Sequence, residues 1–159
     1  MDASGRTVGL QPRSRCHGDP SLAHRAVHVF VRNRDGLVYL QRRAPTKQIQ
    51  PDRWDTSVGG HLAPGENYAG GALRELSEEL GVTPKPGELE MLHDWVWRSE
   101  VETEHIRTFA LRHDGPFQLH PLEISEGRFW RVEELRAAAG SGELTPNLEA
   151  ELQRLALLS

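Results

Sequence analysis

The sequence holds a single cysteine, Cys16, so no disulfide can form within the chain. That fits a reducing compartment. No apolar run approaches the ~20 residues that a membrane-spanning helix needs. The opening stretch MDASGRTVGLQPRSR carries no apolar core of a secretory signal. Basic charge is not in excess: 19 Lys and Arg stand against 23 Asp and Glu, a net charge of -4 with neutral histidines. This removes the electrostatic case for a dedicated nucleic-acid binder. Internal repeats and low-complexity linkers are also lacking. These absences point to a soluble, cytoplasmic protein with no nucleic-acid or membrane partner. Its 159 residues suit one domain, 1–159, with its own hydrophobic core. An acidic chain can still hold anions through a local basic cluster or a metal ion.

The periodicities that are present alternate between strand and helix. AVHVFVR, residues 26–32, alternates like a half-buried strand, NRDG is a turn, and LVYLQRR, 37–43, completes a hairpin. Ala69, Ala72, Leu73, Leu76 and Leu80 recur at helical spacing, and Gly81 is placed to end that helix. Gly70 and Gly71 lie inside it, each at a cost of ~1 kcal/mol relative to alanine. MLHDWVWR and HIRTFALR read as further strands, and RFWRV as a short strand leading into a helix over 133–139. A terminal helix, 146–158, has Thr145 as its N-cap and Pro146 at its first position. Strands and helices intermixed in this way define an α/β fold, a sandwich around a mixed β-sheet.

The densest chemical signal is GHLAPGENYAGGALRELSEELGV, 60–82. On a helix Glu75, Glu78 and Glu79 share one face, because residues three and four apart are neighbours. Crowded carboxylates repel and raise one another's pKa values, which a divalent cation relieves. Oxygen-only ligands suit magnesium or manganese. Gly60, Glu66, Arg74-Glu75-Leu76, Glu78-Glu79 and Gly81-Val82 together resemble the complete Nudix box, a loop-helix-loop of 23 residues. The resemblance implies a Nudix-type α/β/α sandwich with a mixed β-sheet. It also implies hydrolysis of a small diphosphate compound by attack of an activated water on phosphorus. Glu78 and Glu79 would bind Mg2+ or Mn2+, with Glu75 assisting and Arg74 orienting the carboxylates. Glu78 is the first candidate for the general base.

A second group is scattered along the chain. His17, His24 and His61 could stand as loop and strand-edge residues, and Glu102 and Glu104 as an exposed turn, so spacing alone leaves their role open. Stretches from GLQPRSRCH through WDTSVGGHLAPGE to VETE are similar to the type 1 isopentenyl diphosphate isomerases, which are built on a Nudix-like fold. That resemblance implies a cage of His17, His24, His61, Glu102 and Glu104. The cage would hold a second divalent metal, manganese, zinc or iron, with the extension 1–23 contributing to the site. It also implies diphosphate contacts from Arg13, Arg43 and Lys47; ordinary surface charge is the other reading of Arg43 and Lys47. The isomerase cysteine position is Gly59 here, which has no side chain to move a proton. An isomerase tyrosine falls near Trp97, whose indole cannot act as an acid. One basic isomerase position is Glu75.

Trp54, Trp95, Trp97 and Trp130 either wall a substrate pocket or build core, with core favoured for Trp95 and Trp130 and Trp97 carried as a substrate-binding candidate. Asp55 and Ser57 orient the loop through local backbone bonds. Docking of the terminal helix on the domain is preferred over a dimer interface, so the chain is a monomer or homodimer. The expected activity is metal-dependent diphosphate hydrolysis. Two alternatives stand beside it: an isoprenoid diphosphate enzyme, either phosphohydrolase or residual isomerase, and a non-catalytic nucleotide- or metal-binding regulatory module.

Overall fold

A computed structural model describes residues 23–100 and 102–156. His17, Arg13, Cys16 and most of the extension 1–23 therefore lie outside the described residues. Seven strands form one mixed sheet: β1 (Ala23–Arg32), β2 (Val38–Arg43), β3 (Trp54–Asp55), β4 (Val58–His61), β5 (Glu90–Arg98), β6 (Thr103–Arg112) and β7 (Ile124–Trp130). The order β3-β2-β1-β6-β5 runs across it, with β4 added to β1 and β7 to β2. β1 and β6 are parallel along their whole lengths, from Ala23↔Thr103 to Arg32↔Arg112. Among the described residues three α-helices pack on the sheet: α1 (Tyr68–Leu80), α2 (Val132–Ala138) and α3 (Pro146–Arg154).

The hairpin expected from NRDG forms, but β1 and β2 pair only at Val31↔Tyr39 and Arg32↔Val38. Further back along the same edge β4 takes over, from Val29↔Val58 to Ala26↔His61. β2 and β4 thus diverge from a common edge. Ser57 ties the fork, accepting from Val31 N–H at 2.8 Å and donating to the Tyr39 carbonyl. These bonds are long-range, not the local ones expected; Asp55 does make a local bond, accepting from Thr56 N–H at 2.8 Å.

Alternation along β1 sends its residues into two cores. Val27, Val29 and Val31, with Val58, Phe109 and Leu111, meet Ala72, Leu76 and Leu80 of α1. Phe30 on the other face joins Leu40, Trp130, Leu135, Leu148 and Leu152 under α2 and α3. Each fully buried side chain of this size contributes about 1.5–3 kcal/mol. Two details of the helical stripe differ from expectation: Ala69 is exposed, whereas Glu79 is buried with the apolar residues. Asn67 caps α1 by accepting from Gly70 N–H at 2.7 Å, and Gly81 ends it at φ 69°. A Cβ at Gly71 would run into Leu62 Cδ2, the end of a side chain from the loop before the helix. α3 docks on the domain, with Leu148 and Leu152 buried. It ends at Arg154, short of the expected 158, and Ala156 turns the chain at φ 60°. No helix among the described residues is long and apolar enough to cross a membrane.

Candidate active site

The divergence of β2 from β4 opens a cleft of about 430 Å³. Its floor is Ala26, His28, Gly59 and Gly60; Glu75, Glu78 and Glu79 of α1 line it, as do Gln41, Arg43 and Lys47. A Cβ at position 60 would run into the carboxyl of Glu75. The missing side chain at Gly60 is what lets Glu75 lie against the strand.

Arg74 organises the acidic loop. Its Nε and Nη2 grip both oxygens of Glu66 at 2.9 and 3.0 Å, and Nη2 also donates to the His61 carbonyl at 3.0 Å. Nη1 reaches Glu75 at 2.9 Å and Glu78 at 3.2 Å. One planar guanidinium thereby joins three carboxylates and a strand end, as only arginine's fork permits. The Arg74 bond, seconded by Ala63 N–H, draws the Glu66 pKa below its ordinary value.

The three box carboxylates differ in environment. Glu78 is half-exposed beside Arg74. Glu79 is 8% exposed, and its Oε1 accepts from Gln41 Nε2 at 2.7 Å. Its Oε2 is buried with no hydrogen-bond partner, and the Glu75 carboxyl lies within hydrogen-bonding reach. Burial first, and Glu75 second, push the Glu79 pKa well up. Crowding was the cause expected; desolvation is the larger one. Two carboxylates so placed need a proton or a cation between them. An all-oxygen donor set beside a partnerless buried oxygen fits Mg2+ or Mn2+.

On the other side of β4 a second cluster forms, and three of its members, His61, Glu102 and Glu104, also line the cleft. His24, His61, Glu102 and Glu104 each offer a ligand atom, all within 4.8 Å of one another. His61 Nε2 stands 3.0 Å from Glu104, and His24 Nε2 is 3.5 Å from Glu102 and 3.9 Å from Glu104. Burial favours the neutral form of Glu104, but the His61 hydrogen bond and the nearby histidine charges outweigh it and hold the pKa at about 2. Two imidazoles and two carboxylates form a donor set suited to manganese, zinc or iron. β1 and β6 build this cluster directly, because His24 and Glu104 are register partners.

The remaining expected residues are placed as follows. Arg43 and Lys47 line the cleft, but each has an internal partner: Arg43 Nη1 lies 3.2 Å from Asp55, and Lys47 pairs with Glu123. Trp97 does not line the cleft; it packs against Ala26, Trp95 and Ile106. Trp95 and Trp130 are buried in core, and Trp54 stacks edge-on against Trp130. Sequence reasoning missed Gln41 and His120, which also line the cleft. It missed Glu151 as well, a fully buried carboxylate that accepts from His28 Nδ1 at 2.7 Å, from His93 Nε2 at 2.8 Å and from Thr108. Its one visible signal is an acidic residue three positions after Leu148, inside the apolar stripe of α3.

Comparison with known proteins places this architecture. The NUDIX domain model matches residues 22–148. The chain is 35% identical over 144 residues to an uncharacterized Nudix hydrolase, orf19, of Rhodococcus erythropolis, covering 86% of this chain and 77% of that one. It is 34% identical over 160 residues to an isopentenyl-diphosphate Delta-isomerase of Nocardia farcinica, covering 96% and 90%. The crystal structure of DR0079 from Deinococcus radiodurans superposes with a TM-score of 0.80 at 28% identity, over 97% of this chain and 95% of that one. The chain belongs to the Nudix hydrolase family and has its fold. Some of its relatives carry the isopentenyl-diphosphate isomerase name, so it stands on the isomerase-like side of that family.

Proposed function

We propose that this Nudix hydrolase cleaves a small diphosphate-containing compound with the help of Mg2+ or Mn2+ held by Glu75, Glu78 and Glu79. The observation that carries the reading is the partnerless, buried Oε2 of Glu79 beside Glu75, in a cleft that also holds Arg43 and Lys47. A cation held by these carboxylates would lower the pKa of a bound water and neutralise charge on the diphosphate oxygens. Arg74 keeps Glu75 and Glu78 aligned through its bonds to both. Glu78, the most exposed of the three, takes the proton as the water oxygen bonds to phosphorus and the bridging P–O bond breaks. Arg43 and Lys47 turn toward the substrate phosphates, exchanging Asp55 and Glu123 for them.

The cluster of His24, His61, Glu102 and Glu104 supports a second divalent metal; the isomerase resemblance adds His17, outside the described residues, as a further ligand. It also favours a second reading, isoprenoid diphosphates as substrates, since a relative named an isopentenyl-diphosphate Delta-isomerase aligns over 96% of this chain and 90% of its own. Gly59 speaks against isomerisation, because it offers no proton donor at its position. A phosphate-release screen over a diphosphate library, with Mg2+, Mn2+ and EDTA, tests the main reading. Release that depends on the metal supports it; binding of nucleotides without turnover in either metal overturns it. Isopentenyl diphosphate belongs in the library: phosphate release from it would support the isoprenoid reading, and formation of dimethylallyl diphosphate would overturn the argument from Gly59.

A further inference from the structure

His28 has no role in the Nudix box or in the metal cluster, yet it forms part of the cleft floor. It is the register partner of Gly59 across β1 and β4. A Cβ at position 59 would lie 3.3 Å from His28 Cδ2 and 3.7 Å from Nε2. The Cδ2–Nε2 edge of the imidazole therefore borders the space that Gly59 leaves empty. The opposite nitrogen is taken: Nδ1 lies 2.7 Å from Glu151 Oε1. Glu151 is wholly buried, and its other oxygen accepts from His93 and Thr108. A carboxylate with three donors is held ionised and in one orientation, and it fixes the proton of His28 on Nδ1.

We propose that His28 is a substrate-binding residue that donates Nε2–H to a phosphate oxygen of the bound diphosphate, and that Glu151 is its positioning residue. Burial alone would favour neutral His28, but the Glu151 charge and hydrogen bond reverse this and lift its pKa to about 9. Both ring nitrogens then carry protons at neutral pH, and Nε2 is a charged donor. Side chains alternate along β4, so Gly59 opens toward His28 while Gly60 opens toward Glu75. The Glu75 carboxyl lies against Gly60 on one side of the strand, and His28 borders Gly59 on the other, where the charge of Glu104 also favours its protonated form. A diphosphate crossing these two glycines meets both. The glycine pair thus has one purpose on each side: Gly60 admits Glu75, and Gly59 uncovers the imidazole.

This inference rests on the reading of the cleft as a diphosphate site, and the test separates the two. The probe is methylenediphosphonate with Mg2+, added to full-length protein labelled with 15N-histidine at pH 7. In the wild type the His28 Nε2 and its proton resonance are expected to shift on saturation, and His28→Gln is expected to weaken binding at least about tenfold. Glu151→Gln is expected to weaken it less, with the His28 pKa then falling well below its wild-type value because burial is no longer opposed by the Glu151 charge. A purely structural histidine would leave its Nε2 signal unmoved by the probe. That result, or equal affinity in His28→Gln, overturns the inference while the diphosphate site stands. Failure of the wild type to bind the probe overturns the site and the inference together. If His28→Gln does not fold, the wild-type Nε2 signal decides alone.

Discussion

Replacing Glu151 with glutamine removes one charge and keeps nearly the same shape. The three donors that converge on this side chain make the expected effect large and pH-dependent. His28 is 5% exposed, and its pKa rises from 6.5 to about 9 on folding. At about 1.4 kcal/mol per pH unit, this is worth on the order of 3 kcal/mol. The sign follows from which state holds the proton. Below about pH 6.5 both states hold it, and the stabilisation is full. As the pH rises through about 9 the folded state loses it too, and the contribution fades. Glu151 is shifted the other way: burial opposes its ionisation, but the His28 charge and its three hydrogen bonds draw the pKa below 4.5. Its contribution is present above that ordinary value and is lost as the pH falls through the folded one. The pair therefore supports the fold most strongly between about pH 4.5 and 6.5. Urea unfolding of wild type and Glu151→Gln at pH 6, 7.5 and 9 reads this directly. The wild type is expected to lose stability across that range, and the variant to start lower by a few kcal/mol and stay nearly flat. Parallel pH profiles for the two proteins would refute the coupling between His28 and Glu151.

Two further outcomes follow from the geometry. Gly60→Ala is expected to displace the Glu75 carboxyl, lowering kcat at least about tenfold, at a stability cost within about 1 kcal/mol; steady-state rates and unfolding measured on the same sample check it, and an unchanged kcat refutes it. Metal analysis of protein purified without chelators is expected to find about one manganese, zinc or iron per chain, lost in His61→Ala; wild-type protein free of transition metal would refute the second site.

The box was legible because its residues lie within one loop and one helix, where spacing translates directly into shared faces. Even there, spacing placed Glu75, Glu78 and Glu79 on one face without revealing that Glu79 is buried and Glu78 is not. The stripe also took in Ala69, which the end of the helix leaves exposed. The pairing of His24 with Glu104 depends on parallel strands whose residues are eighty positions apart; resemblance supplied it, and alternation could not. His28 and Glu151 are 123 positions apart and meet only because α3 docks on that face of the sheet. The cleft itself arises from β2 and β4 sharing one edge of β1, a property of pairing that no local pattern encodes. The resemblance assigned Arg43 and Lys47 to the diphosphate, but spacing could not show that Asp55 and Glu123, from other strands and loops, already pair with them.

The most direct test of the proposed chemistry is the turnover of Glu78→Gln and Glu79→Gln on the library compound that the wild type hydrolyses fastest with Mg2+ or Mn2+. Each substitution removes a carboxylate charge from the cleft and leaves the fold's apolar contacts in place. A fall in kcat of about a hundredfold or more is expected for each. Hydrolysis by either variant at the wild-type rate would contradict the assignment of these glutamates.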